Sequence, residues 1–165
     1  GVFFLPPVDT ESDTRNPMAK LHEIRHRLRV PFADTDMAGI AHFSNILRYV
    51  EMAEAALFRE IGEPLIAATP QEAAGWPRVR VQCDFSGPLF FDDEAVVHLV
   101  VREIKIKAIE YGFRISRIDP QSGDASLAAK GTMTTLSARI NHLTGKMEAA
   151  DIPPAVLEKI TAKPA

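Results

Sequence analysis

Polar and apolar residues alternate with a period of two over residues 24–32. Ile24, His26, Leu28, Val30 and Phe32 fall on one side, and Arg25, Arg27 and Arg29 on the other. Successive side chains of a strand point to opposite faces, so this pattern predicts a strand with one buried face. Val79, Val81, Cys83 and Phe85 repeat it against Arg80, Gln82 and Asp84. Residues 95–107 are rich in Val and Ile and change phase near Arg102 and Glu103, as a β-bulge would require. Ile109, Tyr111, Phe113 and Ile115 mark a fourth strand, and residues 126–140 a fifth. The run DPQSGD at 119–124 predicts the turn between the last two.

One long helix interrupts the strands. Residues 45–61 contain no Gly or Pro, and Ile46, Val50, Ala53, Leu57 and Ile61 recur at helical spacing. Leu47, Tyr49, Ala56 and Phe58 widen the apolar surface, which predicts a helix buried on several sides. Gly62 is the expected stop. Shorter helical pieces are expected within 64–74 and 154–160. The order strand, long helix, four strands gives an α+β domain with material for one sheet, whose economical packing is an antiparallel sheet curled around the helix. Such a sheet leaves an edge and a helix flank uncovered, and self-association would cover both.

Composition changes little in that picture. The 165 residues are 46% hydrophobic and 25% charged, which suits one globular domain. A net charge of −3 offers no footprint for nucleic acid, and no apolar run reaches the roughly 20 residues of a membrane span. The single cysteine, Cys83, fits a reducing compartment, and a cytoplasmic location is expected. Cys83 reads as a small core residue. The histidines and Cys83 show no metal-binding spacing, so no metal is expected. Residues 1–19 have no periodicity and read as a flexible tail, with an arm packing through Phe3, Phe4 and Leu5 as the alternative. Residues 20–165 form the domain.

The chemistry is concentrated between the first strand and the helix, in FADTDMAGIAHFSN (32–45). Asp34 and Asp36 sit where the chain leaves the sheet, and Gly39 permits a sharp turn. The helix then begins with unpaired N–H groups and its positive dipole end turned toward the loop. A carboxylate beside helix-terminal amides suits attack on a carbonyl, since the amides can hold the developing oxyanion, worth about 3–4 kcal/mol per well-placed donor.

The run FADTDMAGIAHFSNILRYVEMAEAALF resembles the 4-hydroxybenzoyl-CoA thioesterase branch of the hotdog-fold superfamily. Its signature is an aromatic residue, Asp-x-Asp, then Gly and Asn ahead of a long central helix. Gly75-Trp76-Pro77, Asp92-Asp93, Lys105-x-Lys107 and Tyr111-Gly112-Phe113 extend the resemblance over about residues 24–160. It implies a hotdog fold, a five-stranded antiparallel sheet wrapped around one long helix, and hydrolysis of an acyl-CoA or acyl-carrier thioester. Asp36 matches the catalytic carboxylate, as nucleophile or general base, and Phe43 the residue whose backbone N–H binds the thioester carbonyl. Gly39 and Asn45 match the substrate-binding loop. Lys105 and Lys107, with Arg102 nearby, match positions that grip the CoA phosphates, and Trp76 a pocket position supplied by a neighbouring subunit. The resemblance further implies a dimer or tetramer and no cofactor, coenzyme A being part of the substrate. Many relatives carry His where Phe43 stands, and the adjacent His42 is the substitute, either as a pocket contact or as a satisfied loop histidine. Asp34 is expected to hold the loop. Glu51 and Glu54 lie on the helix, where a carboxylate needs solvent or a partner. Two rival readings are a hotdog hydroxyacyl-thioester dehydratase, suggested by His42-Phe43, and a non-catalytic acyl-CoA-binding module.

Overall fold

The computed structural model describes residues 19–165; the expectations for the N-terminal tail lie outside the described residues. Strand β1 (Glu23–Arg29) leads through a short 3-10 turn (Phe32–Asp34) into helix α1 (Phe43–Ile61). Then follow β2 (Ala67–Ala68), β3 (Glu72–Gly75), β4 (Arg78–Phe85), β5 (Glu94–Ile104), β6 (Ala108–Ile118), β7 (Ala125–Leu136), β8 (Ala138–Asn141), β9 (Met147–Ala149) and α2 (Pro154–Leu157). Five strands form an antiparallel sheet in the order β1-β5-β6-β7-β4, and α1 lies across one face of it.

Alternation along the central strands explains the packing. Ala95, Val97, Leu99 and Val101 of β5 and Ile109, Tyr111, Phe113 and Ile115 of β6 are buried, meeting Ile46, Val50, Ala53, Leu57 and Phe58 of α1. Each large aliphatic or aromatic side chain of that set contributes about 1.5–3 kcal/mol by leaving water. The expected bulge in β5 is present, between Val101 and Glu103. Gly62 ends α1 at φ 71°, with Gly62 N–H donating to Arg59 O and Glu63 N–H to Phe58 O, the paired bonds of a Schellman stop.

Several expectations are corrected. Phe32 is not on the buried face of β1; the strand stops at Arg29, Pro31 opens the 3-10 turn, and Phe32 is 75% exposed against Phe91. Residues 64–74 are not helical. Thr69 Oγ1 accepts from Gln71 and Glu72 N–H in a tight turn, and β3 pairs with β8, so non-local pairing overrides the helix preference of the alanines. The stretch 126–140 is two strands, because the chain leaves the main sheet at Ser137, where its N–H donates to Lys107 O. Strand β8 thereby joins a second sheet, β2-β3-β8-β9, where only one sheet was expected. The last helix is one turn long, and Ile160 instead bridges Leu21. Helix α1 is covered on one side; Phe43, Leu47 and Met52 stay exposed on this chain.

Strand β4 departs most from the simple pattern. It is an edge strand, and Val81 and Phe85 remain 39% and 56% exposed although they point to the helix side. Its register shifts between Arg78 and Arg80, so Val79 is an extra residue and Arg78 pairs with the buried Thr135. The bulge therefore turns Arg78 to the inner face.

Candidate active site

The loop ahead of α1 is held by Asp34. Asp34 as a residue is 8% exposed, and its carboxylate is the anchor. It accepts from the Tyr49 hydroxyl at 2.8 Å and from Arg48 at 3.3 Å. Its carbonyl accepts from His42 N–H at 2.8 Å and from Asn45 Nδ2 at 2.9 Å. Burial, then the Asp34 carboxylate, push the Tyr49 hydroxyl pKa up, so it remains a donor. Asp34 is thus structural, as expected.

Asp36 lies at the exposed tip. Its N–H donates to Ile40 O at 2.9 Å, its carbonyl accepts from Gly39 N–H at 3.0 Å, and its Oδ1 accepts from Ala38 N–H at 2.8 Å. Gly39 adopts φ 76°, the left-handed conformation that closes this turn and favours glycine. The Thr35–Ala41 and Ile40–Phe90 bridges tie both sides of the loop together and to the segment before β5.

Helix α1 starts two residues before position 45. His42 is its N-cap: Nδ1 accepts from Ser44 N–H at 3.4 Å and sits 2.8 Å from Ser44 Oγ. Asn45 N–H donates to His42 O. Among the described residues nothing accepts from Phe43 N–H, so the first amide of the helix is unpaired at its positive dipole end. The Phe43 ring meets His42 at 4.5 Å and Phe85 edge-on at 6.4 Å.

Asp36, His42 and Phe43 line one groove of about 470 Å³, closed by Ile46, Phe85, Pro88 and Leu89. The remaining candidates lie elsewhere on this chain. Asn45 bonds the Asp34 carbonyl and Arg48. Trp76 is 7% exposed and packs on Phe58 at 5.4 Å. Lys105 pairs with Glu103 and Lys107 with Asp151. Arg102 lies over Gly112. Cys83 is half-buried against the core, and burial, then Asp84, push its thiol pKa up, away from nucleophile chemistry.

Tyr49 and Arg48 were missed as loop-holding groups. Their spacing from Asn45 places all three on one helix face, a readable signal. Pro88 and Leu89 carried no local signal, because Ala41 N–H reaches Leu89 O only through the long-range fold.

The chain matches the thioesterase-like superfamily over residues 30–160 and belongs to that family. A 1,4-dihydroxy-2-naphthoyl-CoA hydrolase of Synechococcus sp. (strain CC9902) is 33% identical over 92 residues. That stretch is 53% of this chain and 62% of that protein, less than two thirds of its length. The 4-hydroxybenzoyl-CoA thioesterase of Pseudomonas sp. strain CBS-3 superposes with a TM-score of 0.72 at 22% identity, over 84% of this chain and 99% of that one. A 1,4-dihydroxy-2-naphthoyl-CoA thioesterase from Synechocystis gives 0.69 at 21%, over 84% and 95%. These structures share the fold, a hotdog sheet around one main helix. No helix among the described residues is long and apolar enough to cross a membrane.

Proposed function

We propose that the chain hydrolyses an acyl-CoA thioester in the groove of Asp36 and Phe43. The observation that carries the reading is the meeting of a solvent-reached carboxylate with an unpaired helix-terminal N–H in one groove. The thioester carbonyl oxygen accepts from Phe43 N–H, and the dipole of α1 stabilises the negative charge that grows there. The Asp36 carboxylate takes a proton from water as the water oxygen bonds to the carbonyl carbon. The C–S bond then breaks, the proton passes to the thiolate, and free acid and thiol depart. In the nucleophilic variant Asp36 forms an anhydride that water opens, with the same products. A bound thioester carbonyl is electrophilic enough for either route when the partners are held close.

The named relatives act on aromatic acyl-CoA thioesters, and the Phe43 and Phe85 rings suit an aromatic acyl group. Hydrolysis is favoured over dehydration because the helix carboxylates are not available in the groove: Glu54 is buried on Arg78, and Glu51 lies beside the same cation. A second copy is part of the proposal. Pairing two antiparallel β4 edges near their middle would extend the sheet and cover Val81 and Phe85. It would also bring the Trp76–Arg78 end of one chain beside the other chain's Phe85.

Free-thiol release across short, long and aromatic acyl-CoAs tests the reading. Asp36→Asn should lower kcat by about 100-fold or more with an unchanged melting temperature. Wild-type turnover in that variant refutes the role of Asp36, and tight acyl-CoA binding without turnover by the wild type refutes hydrolysis.

A further inference from the structure

A broad concavity lies on the opposite face of the sheet from α1. It holds about 750 Å³ and is bordered by His98, Arg102, Arg114, Lys130, Asp84 and Lys163. Strand register makes its walls regular. His98 stands opposite Arg114, Arg114 opposite Lys130, and Lys130 opposite Asp84, a single row across four strands. The next row is Val100, Gly112, Thr132 and Gln82, with the glycine at its centre. Arg102 follows on the bulge of β5 and lies back across that glycine: a Cβ at Gly112 would come within 2.5 Å of Arg102 Nε. The missing side chain is what lets the guanidinium rest over the trough.

The charges here are not balanced within the fold. Among the described residues Arg102, Arg114 and Lys130 form no ion pair or side-chain hydrogen bond. Arg114 and Lys130 face each other directly, which opposes sheet pairing. Of the other bordering cations, His98 and Lys163 are taken up by Glu23, at 2.7 Å and 3.4 Å. Asp84 forms no ion pair with Lys130. We infer that this trough is a binding site for a polyphosphate group, separate from the Asp36 groove. Two or more linked phosphates span neighbouring rows, reach three cations and remove the repulsion between Arg114 and Lys130; arginine adds paired, planar donors for phosphate oxygens. Thr132 and Gln82 offer further hydrogen bonds along the same row.

The experiment is calorimetric titration of the full chain with pyrophosphate, ADP and orthophosphate at low ionic strength. Pyrophosphate and ADP should bind, orthophosphate at least about tenfold more weakly, and added salt should weaken all three. Arg114→Gln with Lys130→Gln should weaken pyrophosphate at least about tenfold while leaving hydrolysis of a phosphate-free acyl-pantetheine unchanged. Gly112→Ala, which displaces Arg102 alone, gives a second and independent loss. Kinetics distinguish the source of the phosphates. A raised KM for acyl-CoA but not for acyl-pantetheine in the double variant assigns them to the substrate, and an unchanged KM assigns a free ligand. Absence of pyrophosphate binding to the wild type, or equal binding by a folded double variant, overturns the inference. Neither result depends on whether Asp36 is catalytic.

Discussion

Replacing Arg78 by methionine removes the cation from a carboxylate that water cannot reach. Glu54 is 0% exposed, Arg78 holds its Oε2, and its Oε1 has no hydrogen-bond partner among the described residues. Burial pushes its pKa up from 4.5 to about 7, against the pull of Arg78 and with an added push from Glu51. Breaking a buried pair commonly costs about 3–5 kcal/mol, because a bare charge remains. In this protein the loss is capped, since the carboxyl can bind a proton instead. At about 1.4 kcal/mol per pH unit, keeping it neutral at pH 7.5 costs about 4 kcal/mol, and the native pair already bears about 3 of that. The charge-related loss is therefore about 1 kcal/mol. The two hydrogen bonds Arg78 donates, to Glu54 and to Trp76 O, add about 1 kcal/mol after exchange with water. Arg78→Met should thus lose about 2 kcal/mol in urea denaturation at pH 7.5.

The sign of the pH dependence follows from the same group. The unfolded chain releases this proton near 4.5 and the folded one near 7, so within that window the folded state holds the extra proton. Stability from Glu54 falls as pH rises through the window. His26, whose pKa burial lowers, then Arg59, slopes the other way below 6.5. Comparison with Glu54→Gln cancels it. Wild-type stability relative to Glu54→Gln should rise by about 2 kcal/mol between pH 7.5 and pH 5.5. A flat difference, or a loss of 4 kcal/mol or more in Arg78→Met that persists at pH 5.5, would show that Glu54 stays ionised and the reasoning is wrong.

Tyr49→Phe leaves the buried Asp34 carboxylate without its hydroxyl donor; about 1–3 kcal/mol of stability should be lost, and kcat should fall as the loop loosens, both read on one preparation. Gly62→Ala forces a Cβ into φ 71°, although nothing lies within 4 Å of it, so a loss of about 1 kcal/mol with unchanged kinetics is expected from thermal melts. Val81→Lys places a charge on the exposed inner side of the β4 edge and should shift sedimentation toward the monomer with loss of thiol release. An unchanged sedimentation profile would exclude β4 as the joining edge.

Much of the main sheet and of the loop's conformation was legible in the sequence, because both rest on local signals. The alternation in β1, β5 and β6 follows from burial of one face, and the change of phase near Arg102 announced the bulge. Asp36, Gly39 and the helix start lie within a few residues of one another, so a turn and a cap suffice to place them. The second sheet was hidden because β3 and β8 are brought together from 60 residues and more apart. Ser137 gives no local reason to leave one sheet for another. The same applies to Glu54 and Arg78: the helix position of Glu54 marked a costly carboxylate, but its partner reaches it through a one-residue shift that alternation alone assigns to the wrong face.

That shift couples two segments as strictly as a reading frame couples codons. Flattening the bulge, with Val79 retained and taken into the ladder opposite Thr135, would turn Arg78 outward while leaving β4 formally intact, stranding an acid under the helix. A homologue that keeps a residue at position 79 but runs straight there should therefore also lack an acid at the position of Glu54. Changes that straighten β4 at that one point would be filtered by the helix, not by the strand that carries them.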